Sequence, residues 1–292
     1  MTIKELYRQK QPLFSLEVFP PKKESDSDVG ALYGTLGQIA KLSPDFISVT
    51  CGAGGIGGMN NTIAITDYIQ SRLNIPALAH LTCITATHSD LEAALAEMRA
   101  CNVGNVLALR GDTPPGGQLP ASADYRYAEE LIRDLRMLAK DFSIGAACYP
   151  EGHIDCNDIS IDIEHLRQKE EAGADFLISQ LFFENEIFYN FLERIRAAGI
   201  TLPVSAGVMP ILSRSQIQRM IFLCGASLPS RIIKILHKYE NNPADLRAAG
   251  IEYAVAQASE LAGLGVDGVH IYTMNRPEIA EACAQALGKE GK

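Results

Sequence analysis

Tryptophan is absent from this 292-residue sequence, and aromatic residues make up only 7% of it. Long apolar runs are also lacking, since none reaches the roughly 20 residues that a membrane-spanning helix needs. The first ten residues are polar and charged and lack the apolar stretch of a signal peptide. We therefore expect no membrane partner and a cytoplasmic location.

Clusters of basic residues are lacking as well. The 26 lysines and arginines are outnumbered by 35 aspartates and glutamates, which gives a formal net charge of −9. Nucleic acids and anionic membranes attract clustered Lys and Arg, so neither is expected as a partner. The seven cysteines contain no CxxC pair, which disfavours a zinc ribbon and indicates reduced thiols.

The composition that remains is that of a globular protein, with 47% hydrophobic residues. No linker rich in Pro, Gly or Ser divides the chain. We expect residues 1–292 to form one domain, with no regulatory domain, because α/β barrels of about 250 residues are often single domains.

Eight short apolar runs alternate with amphipathic stretches along the whole chain. A continuous apolar run of this length is typical of a buried parallel strand. The runs are residues 13–19, 46–50, 77–82, 106–110, 144–149, 176–180, 204–208 and 269–272. Strands that alternate with helices indicate a parallel sheet with right-handed crossovers.

Two folds satisfy this pattern, an open doubly wound sheet and a closed barrel. An open sheet usually carries a glycine-rich phosphate loop after its first strand, but here Pro-Pro-Lys-Lys follows at 20–23. The glycine-rich segment 51–58 lacks the acidic residue expected at the right distance. We therefore predict an α/β fold, a (βα)8 TIM barrel. Extra helices over about 228–240 and 243–263 should decorate it between the last two strands.

Barrel enzymes build their sites from the residues at the carboxyl ends of the strands. Nearly all the predicted strands end in polar side chains, which should converge on one rim. These residues are Glu17, Thr50, His80, Arg110, Gly111, Asp112, Tyr149, His153, Gln180, Tyr272, Asn275 and Arg276.

Glu17 is the strongest candidate for a catalytic residue, because it interrupts the apolar run Leu-Phe-Ser-Leu-Glu-Val-Phe. A buried carboxyl needs a partner or stays protonated. One interpretation is a structural ion pair or an exposed rim residue. The functional hypothesis is a carboxyl with a raised pKa that serves as a general acid.

The other strand-end groups leave alternatives open. Arg110 suits bidentate binding of phosphate or carboxylate and Asp112 suits stabilisation of a developing cation, or the two side chains pair with each other. His80 is either a satisfied core residue or a ligand-binding group. A helix over 158–171 would place Asp162, His165 and Lys169 on one face, which is either functional or simply solvated.

Three enzyme classes compete for this rim. A flavin or nucleotide enzyme needs a cation, ring-binding polar groups and an acid, and all three are present. A metal-dependent hydrolase could recruit His80, Cys83 and His153, but no HxH pair follows the first strand. A Schiff-base lyase needs a lysine at a strand end, and no run ends in one. A ligand carrier without catalysis stays possible.

Nine segments in order along the chain carry a resemblance to a known family. They are residues 15–21, 48–52, 80–83, 109–115, 149–153, 169–174, 179–183, 207–210 and 272–276. With them the sequence resembles the methylenetetrahydrofolate reductases of the short bacterial type. No regulatory domain or metal site is implied.

The resemblance implies an FAD-dependent oxidoreductase of one-carbon and methionine metabolism. Such an enzyme reduces 5,10-methylenetetrahydrofolate to 5-methyltetrahydrofolate with NADH or NADPH, by ping-pong hydride transfer through the flavin. Small-molecule folate and nicotinamide are then the partners, and a homo-oligomer is expected. The alternative is a flavin- or folate-binding barrel without turnover.

The resemblance also implies roles for individual residues. Glu17 would be the acid that opens the methylene bridge, and Asp112 would stabilise positive charge on the substrate. Cofactor-binding roles fall to Thr50, His80, Arg110, Gly111, Asp112, Tyr127, Ala128, Tyr149, His153, Asp162, His165 and Lys169. Substrate-binding roles fall to Gln180, Pro210, Tyr272 and Arg276.

Four positions depart from the family pattern. Cys51 stands where an aromatic residue is usual, and His165 and Gln168 replace Asn and Arg. Arg214 occupies the stretch that usually carries an aromatic ring stacked on nicotinamide or folate. The choice between NADH and NADPH is therefore left open.

Overall fold

Eight parallel strands close into a barrel in the computed structural model, which describes residues 1–21, 26–51, 59–113 and 118–289. The strands follow one another in chain order, and the last pairs with the first. Their bounds are β1 Leu13–Val18, β2 Phe46–Val49, β3 Ala77–Thr82, β4 Asn105–Leu109, β5 Ser143–Cys148, β6 Phe176–Ser179, β7 Val204–Val208 and β8 Gly268–Tyr272. The predicted (βα)8 barrel is confirmed.

Helices pack around the outside of this barrel. Their bounds are α1 Ile3–Gln9, α2 Asp26–Ile39, α3 Asn60–Arg72, α4 His88–Ala100, α5 Ala128–Leu138, α6 Ile159–Ala172, α7 Asn185–Ala197, α8 Arg214–Cys224, α9 Ser230–Lys238, α10 Pro243–Gly263 and α11 Pro277–Ala286. In α4, the buried face consists of Leu91, Ala94, Leu95 and Met98. No described helix combines the length and the apolar character that a bilayer span requires. Most of the glycine-rich segment 51–58, and residues 22, 23 and 114–117, lie outside the described part of the chain.

The strands read as continuous apolar runs because both of their faces are buried, one against the helices and the other inside the barrel. The predicted runs extend one residue too far at several carboxyl ends. Phe19, Thr50, Arg110, Tyr149 and Gln180 each follow the last residue of a strand. At these positions the chain leaves the hydrogen-bonded ladder and enters the loops above the barrel.

One prediction about the helical insertion is wrong in part. Three helices, α8 to α10, are described between β7 and β8, and α9 and α10 match the two expected segments. However, α10 does not decorate the barrel, because it packs on β7 and β8 and buries Leu246, Ala254, Ala258 and Leu261. It is therefore the layer helix of this unit, and α8 and α9 are the additional segments.

The amino end of the barrel is closed by α1, which the sequence analysis did not predict. Ile3 and Tyr7 are buried in a cluster with the inward side chains at the base of the strands. The Tyr7 hydroxyl lies 2.7 Å from Ser205 Oγ, and the amide of Ile3 donates to Asn105 Oδ1 at 3.0 Å. The first helix is thus fixed to strands from both halves of the barrel.

Two glycines of α10 allow a direct test of how closely this helix packs. A Cβ at Gly250 would overlap the carbonyl of Ile211, whereas one at Gly263 would meet nothing within 4 Å. We expect Gly250→Ala to lower the free energy of unfolding by about 1–3 kcal/mol, because a backbone carbonyl cannot move aside freely.

The matched variant Gly263→Ala should leave the free energy of unfolding unchanged or raise it by about 0.5 kcal/mol, since alanine restricts the unfolded chain. Urea unfolding followed by circular dichroism measures both. Equal effects of the two variants would show that α10 is not held against the loop after β7.

Candidate active site

A cavity of about 700 Å³ opens at the carboxyl ends of the strands. Ten of the predicted site residues line it, contributed by β1 to β6 and β8 and the loops that follow them. They are Glu17, Thr50, His80, Arg110, Gly111, Asp112, Tyr149, His153, Gln180 and Tyr272. The convergence expected from the strand ends is therefore present.

The alternation of side chains along the strands explains which residues face the interior. In β1, Leu13, Ser15 and Glu17 are spaced by two and point into the barrel. Leu13 belongs to the apolar base cluster, while Glu17 reaches the cavity. The register pairs Glu17 with Ser48 on one side and with Tyr272 on the other. Polar groups of three strands thus meet at the cavity floor.

Glu17 is held at this floor by three neighbours. Its side chain is only 7% exposed, and its Oε2 atom lies 3.4 Å from His80 Nε2, from His270 Nε2 and from Ser48 Oγ. The contacts with His270 and Ser48 have hydrogen-bond geometry. Glu17 is therefore a buried, partnered carboxyl and not an exposed rim residue.

The expectation of a raised pKa for Glu17 is wrong. Burial does oppose ionisation, but the hydrogen bond with His270 and the charges of His80 and His270 outweigh it and hold the pKa of Glu17 below its ordinary value. The sequence shows that the carboxyl is buried in an apolar strand but does not show which imidazoles meet it. Burial also lowers the pKa of His80, although the carboxylate of Glu17 opposes this shift.

Within the described residues, Arg110 pairs with Asp155 and not with the adjacent Asp112. Its Nη1 lies 3.3 Å from Asp155 Oδ2, and its buried Nε has no hydrogen-bond partner among the described residues. The next residue, Gly111, has a φ of +86°, and a Cβ there would come within 2.9 Å of the Thr82 side chain. Only glycine makes this turn without strain.

Asp112 follows this turn and lies exposed at the cavity edge. Burial raises the pKa of the Cys224 thiol, at the end of α8, to about 11, and the nearby negative charge of Asp112 contributes to this rise. The carboxylate is therefore available to a bound molecule, as a cation-stabilising role requires.

One wall of the cavity combines aromatic and cationic groups. The rings of Tyr149 and His153 meet edge to face at 4.7 Å, and Lys169 Nζ lies 5.5 Å from the centre of the Tyr149 ring. Lys169 also donates to the carbonyl of Ala147 at 2.9 Å, and Asp162 accepts from the amide of His153 at 3.1 Å. Asp162 and Lys169 thus face this wall from behind, and the charged face of α6 is not merely solvated.

The remaining predicted cofactor residues lie farther out. The rings of Tyr127 and His165 are nearly parallel at 6.4 Å, and Tyr127 is 57% exposed. Ala128 is buried at the start of α5. These three residues do not line the cavity; His165 lies one turn before Lys169 on α6, and the Tyr127 ring packs on it.

The predicted substrate residues divide into two pairs. Tyr272 lies across the top of the barrel, where its ring packs on Gly207 and its hydroxyl donates to the carbonyl of Ser179 at 2.8 Å. The side-chain oxygen of Gln180 accepts from the amide of Leu181. Pro210 and Arg276 do not line the cavity. Pro210 is buried, and Arg276 caps α11 with its guanidinium 3.4 Å from Glu278.

Sequence reasoning missed His270, Ser48 and Ser15 beneath the cavity. His270 stands two residues before Tyr272 in an apolar strand and therefore faces the same side. Applying this period of two to the whole strand, and not only to its last residue, would have found it. Cys224 comes from an additional helix, and no pattern in the sequence indicates its place. Among the described residues, no group of three or more His, Cys, Asp or Glu side chains is arranged to hold a metal ion.

Comparison with known proteins gives matches over nearly the whole chain. A family model described as methylenetetrahydrofolate reductase matches residues 2–288. The 5,10-methylenetetrahydrofolate reductase of Salmonella typhimurium is 31% identical over 274 residues, covering 94% of this chain and 90% of the relative, and that of Escherichia coli matches equally. Methylenetetrahydrofolate reductase (NADH) 1 of Arabidopsis thaliana is 31% identical over 299 residues. The chain spans about half the length of the plant and yeast relatives that it matches.

Two solved structures share the fold at low sequence identity. An uncharacterized protein from Clostridium thermocellum, described as binding two copies of 5-methyl-5,6,7,8-tetrahydrofolic acid, superposes with a TM-score of 0.68 at 16% identity over 98% of both chains. Dihydropteroate synthase from Xanthomonas albilineans gives 0.55 at 17% identity, over 95% of this chain and 91% of its own. At this level of identity the likeness concerns the barrel alone.

The buried imidazole of His80 should make the stability of the barrel depend on pH. Its pKa is lower in the folded chain than the ordinary value of 6.5, so the unfolded chain binds the proton first and protonation favours unfolding. We expect the free energy of unfolding to fall as the pH drops below about 6.5, by at most about 1.4 kcal/mol per pH unit for one proton.

In His80→Gln, the free energy of unfolding should fall less steeply between pH 7 and pH 5. Some fall should remain, because burial also lowers the pKa of His153. Above pH 5, Glu17 adds little, because its pKa lies below the ordinary value of 4.5. Urea unfolding at a series of pH values gives both slopes. Identical slopes for the variant and the unchanged protein would refute a neutral, buried His80.

Proposed function

The chain belongs to the methylenetetrahydrofolate reductase family, and from this premise we propose that it reduces 5,10-methylenetetrahydrofolate to 5-methyltetrahydrofolate. FAD is the proposed cofactor, and NADH or NADPH is the proposed reductant. The observation that carries the proposal is the buried carboxyl of Glu17 at the floor of a large cavity, between two imidazoles. An acid in this place reaches a bound substrate and is shielded from bulk water.

The residues around the cavity fit a flavin. In the part of the chain that the structure describes, buried His80 Nε2 and Arg110 Nε have no hydrogen-bond partner, as is expected of polar atoms that a bound ring system would satisfy. Thr50, Gly111 and Tyr149 supply further polar or close-packing surface beside them. When bound, FAD would supply the acceptor and donor of the hydride, which passes from nicotinamide to folate.

The more distant part of the cofactor fits the wall and surface near α6. Lys169 provides a cation behind the Tyr149 ring, and the exposed Tyr127 ring faces His165. A phosphate group matches the lysine, and an aromatic base matches the tyrosine ring. His153 and Asp162 hold the loop between them through the amide contact at 3.1 Å.

In the proposed reaction Glu17 donates a proton to one nitrogen of the methylene bridge. The bond between that nitrogen and the bridging carbon then breaks, its electron pair stays on the nitrogen, and an iminium cation forms at the other nitrogen. The carboxylate of Asp112 at the cavity edge stabilises this positive charge. Gln180 and Tyr272 bind the pterin, and Arg276, which lies outside the cavity, contacts the outer part of the substrate.

A proton must be available on Glu17 even though its imidazole neighbours lower its pKa. Entry of a neutral ring system displaces water from the cavity, and loss of water disfavours the carboxylate. The bound state therefore moves Glu17 toward the acid form that the step requires.

The first test replaces the acid. In Glu17→Gln loaded with FAD, we expect reoxidation of the reduced flavin by methylenetetrahydrofolate to slow at least about 100-fold, because general acid catalysis contributes that much or more. Flavin reduction by NADH or NADPH should change only a few-fold. Anaerobic stopped-flow absorbance at the flavin band measures both half-reactions.

Two results would contradict this proposal. Equal loss of both half-reactions would remove the assigned role of Glu17. Protein that binds FAD and folate without any reoxidation would instead be a binding protein without turnover.

The second test concerns the cofactor wall. We expect Lys169→Met to weaken FAD binding about tenfold to a hundredfold, because a charge-assisted hydrogen bond to phosphate contributes about 1.5–3 kcal/mol. The matched control is Arg167→Met on the same helix, where the side chain is exposed and pairs with Glu164 and Glu171. Quenching of flavin fluorescence during titration of the flavin-free protein measures the affinity. Equal weakening in both variants would place the phosphates elsewhere.

A further inference from the structure

A second cavity, of about 370 Å³, lies among the outer helices α7, α9 and α10, and we name it the helical pocket. The start of α7, Arg231 of α9 and the second half of α10 form its walls. It shares no lining residue with the cavity at the carboxyl ends of the strands. A molecule bound in the helical pocket would therefore leave the active site free.

Two side-chain amides that line this pocket have no partner for their oxygen atoms. Asn185 is 8% exposed and Gln257 is 5% exposed. Within the described residues, neither Asn185 Oδ1 nor Gln257 Oε1 accepts a hydrogen bond. Buried acceptors without a partner are rare in folded proteins, so a pair of them in one pocket indicates a group that binds there.

The nitrogen atoms of the two amides fix their orientation. Asn185 Nδ2 donates to the carbonyl of Gln257 at 3.3 Å, and Gln257 Nε2 donates to the carbonyl of Phe182 at 3.0 Å. Turning either amide over would set its oxygen against a carbonyl oxygen, which is unfavourable. The free atoms are therefore oxygens, which can only accept, and a ligand that satisfies them must donate.

A third polar atom without a partner lies beside the pocket. Tyr189 comes one turn after Asn185 on the same face of α7, and its buried hydroxyl is unpaired within the described residues. Burial and the negative charges of Glu260 and Glu186 raise the pKa of this hydroxyl, so both carboxylates lie near it. The unpaired atoms and the carboxylates thus occupy the same region of the surface.

The charged side chains of the pocket determine the sign of the ligand. Among the described residues, three carboxylates line it, those of Glu184, Glu186 and Glu260, against the single cation of Arg231. The Arg231 guanidinium lies 5.2 Å from the centre of the Tyr253 ring and bonds to neither free oxygen. The three carboxylates are exposed, whereas the amide oxygens are buried. A matching ligand therefore carries one cationic donor for the interior and a second positive charge for the mouth.

We propose that the helical pocket binds an alkyl diamine or polyamine. One ammonium group donates to Asn185 Oδ1 and Gln257 Oε1, and the other pairs with the three carboxylates at the mouth. Tyr253 and Ala256 supply surface for the methylene groups between them. A metal ion fits less well, because no group of three or more His, Cys, Asp or Glu side chains in the described part of the chain is arranged to hold one.

The experiment titrates the full chain with three four-carbon probes in an isothermal titration calorimeter. Putrescine carries two ammonium groups, butylamine carries one, and 1,4-butanediol has the same length without charge. We expect one putrescine to bind per chain. Butylamine should bind about tenfold more weakly, because it leaves the carboxylates at the mouth unpaired and each exposed ion pair contributes only a little. Butanediol should not bind measurably.

Two variants test the acceptors inside the pocket. Gln257→Met keeps the shape of the side chain and removes its oxygen, and Asn185→Ala removes the other oxygen. We expect each to weaken putrescine binding about tenfold to a hundredfold, because a hydrogen bond to a charged group contributes that much. Thermal unfolding checks that both variants fold.

A matched pair of variants tests the mouth. Glu260 and Glu252 both lie exposed on α10, but Glu252 lines a neighbouring groove and not the helical pocket. Glu260→Gln should weaken putrescine binding about twofold to fivefold, and Glu252→Gln should leave it unchanged although it alters the net charge equally. Arg231→Gln should strengthen binding about twofold to fivefold, because it removes the one like charge among the described lining residues.

Three results would overturn this inference. The first is the absence of saturable putrescine binding, which would mean that water alone satisfies the amide oxygens. The second is equal weakening by Glu260→Gln and Glu252→Gln, which would show general attraction to an acidic chain. The third is butanediol binding as tightly as putrescine, which would show that the site does not select a cation. If Gln257→Met and Asn185→Ala do not fold, the two glutamate variants decide, since both change exposed side chains.

Discussion

Burial of a carboxyl inside an apolar barrel is the constraint on which the site depends. A buried carboxyl such as that of Glu17 is tolerated there only when it has hydrogen-bonding or charged neighbours. Strands β2, β3 and β8 each contribute one polar side chain, and each of these has an atom 3.4 Å from the Glu17 carboxylate. The cavity ends at this level, where polar side chains such as Glu17 and His80 line it, and the apolar cluster that contains Leu13 lies below. The apolar base at Leu13 and the polar floor at Glu17 are therefore two levels of the same interior, with the level of Ser15 and His270 between them.

Much of the fold follows from local patterns in the sequence. The eight apolar runs coincide with the strands because parallel strands covered on both faces need no polar positions. The assignment of α10 failed because its length and position suggest an addition, whereas its role depends on contact with β7 and β8. The closing helix α1 was missed because only Ile3 and Tyr7 are deeply buried in it, too few for a clear amphipathic pattern.

The candidate site was predictable where it depends on strand ends and unpredictable where it depends on contacts between strands. Glu17, Arg110 and Gln180 follow from their positions alone. The ionisation of Glu17 did not follow, because the rise in pKa from burial is outweighed by residues distant in the sequence, among them His270, 253 residues away, and His80. The same holds for Arg110, whose partner is Asp155 in the next loop and not the adjacent Asp112.

The helix at the amino end has a consequence for how molecules reach the site. Ile3 and Tyr7 close the base of the barrel, and the layer above them is packed with apolar side chains. Molecules therefore enter and leave the cavity at the carboxyl end of the strands. Within the described residues this opening is the one route to the floor, so any two bulky molecules that both need the floor would have to use it in turn.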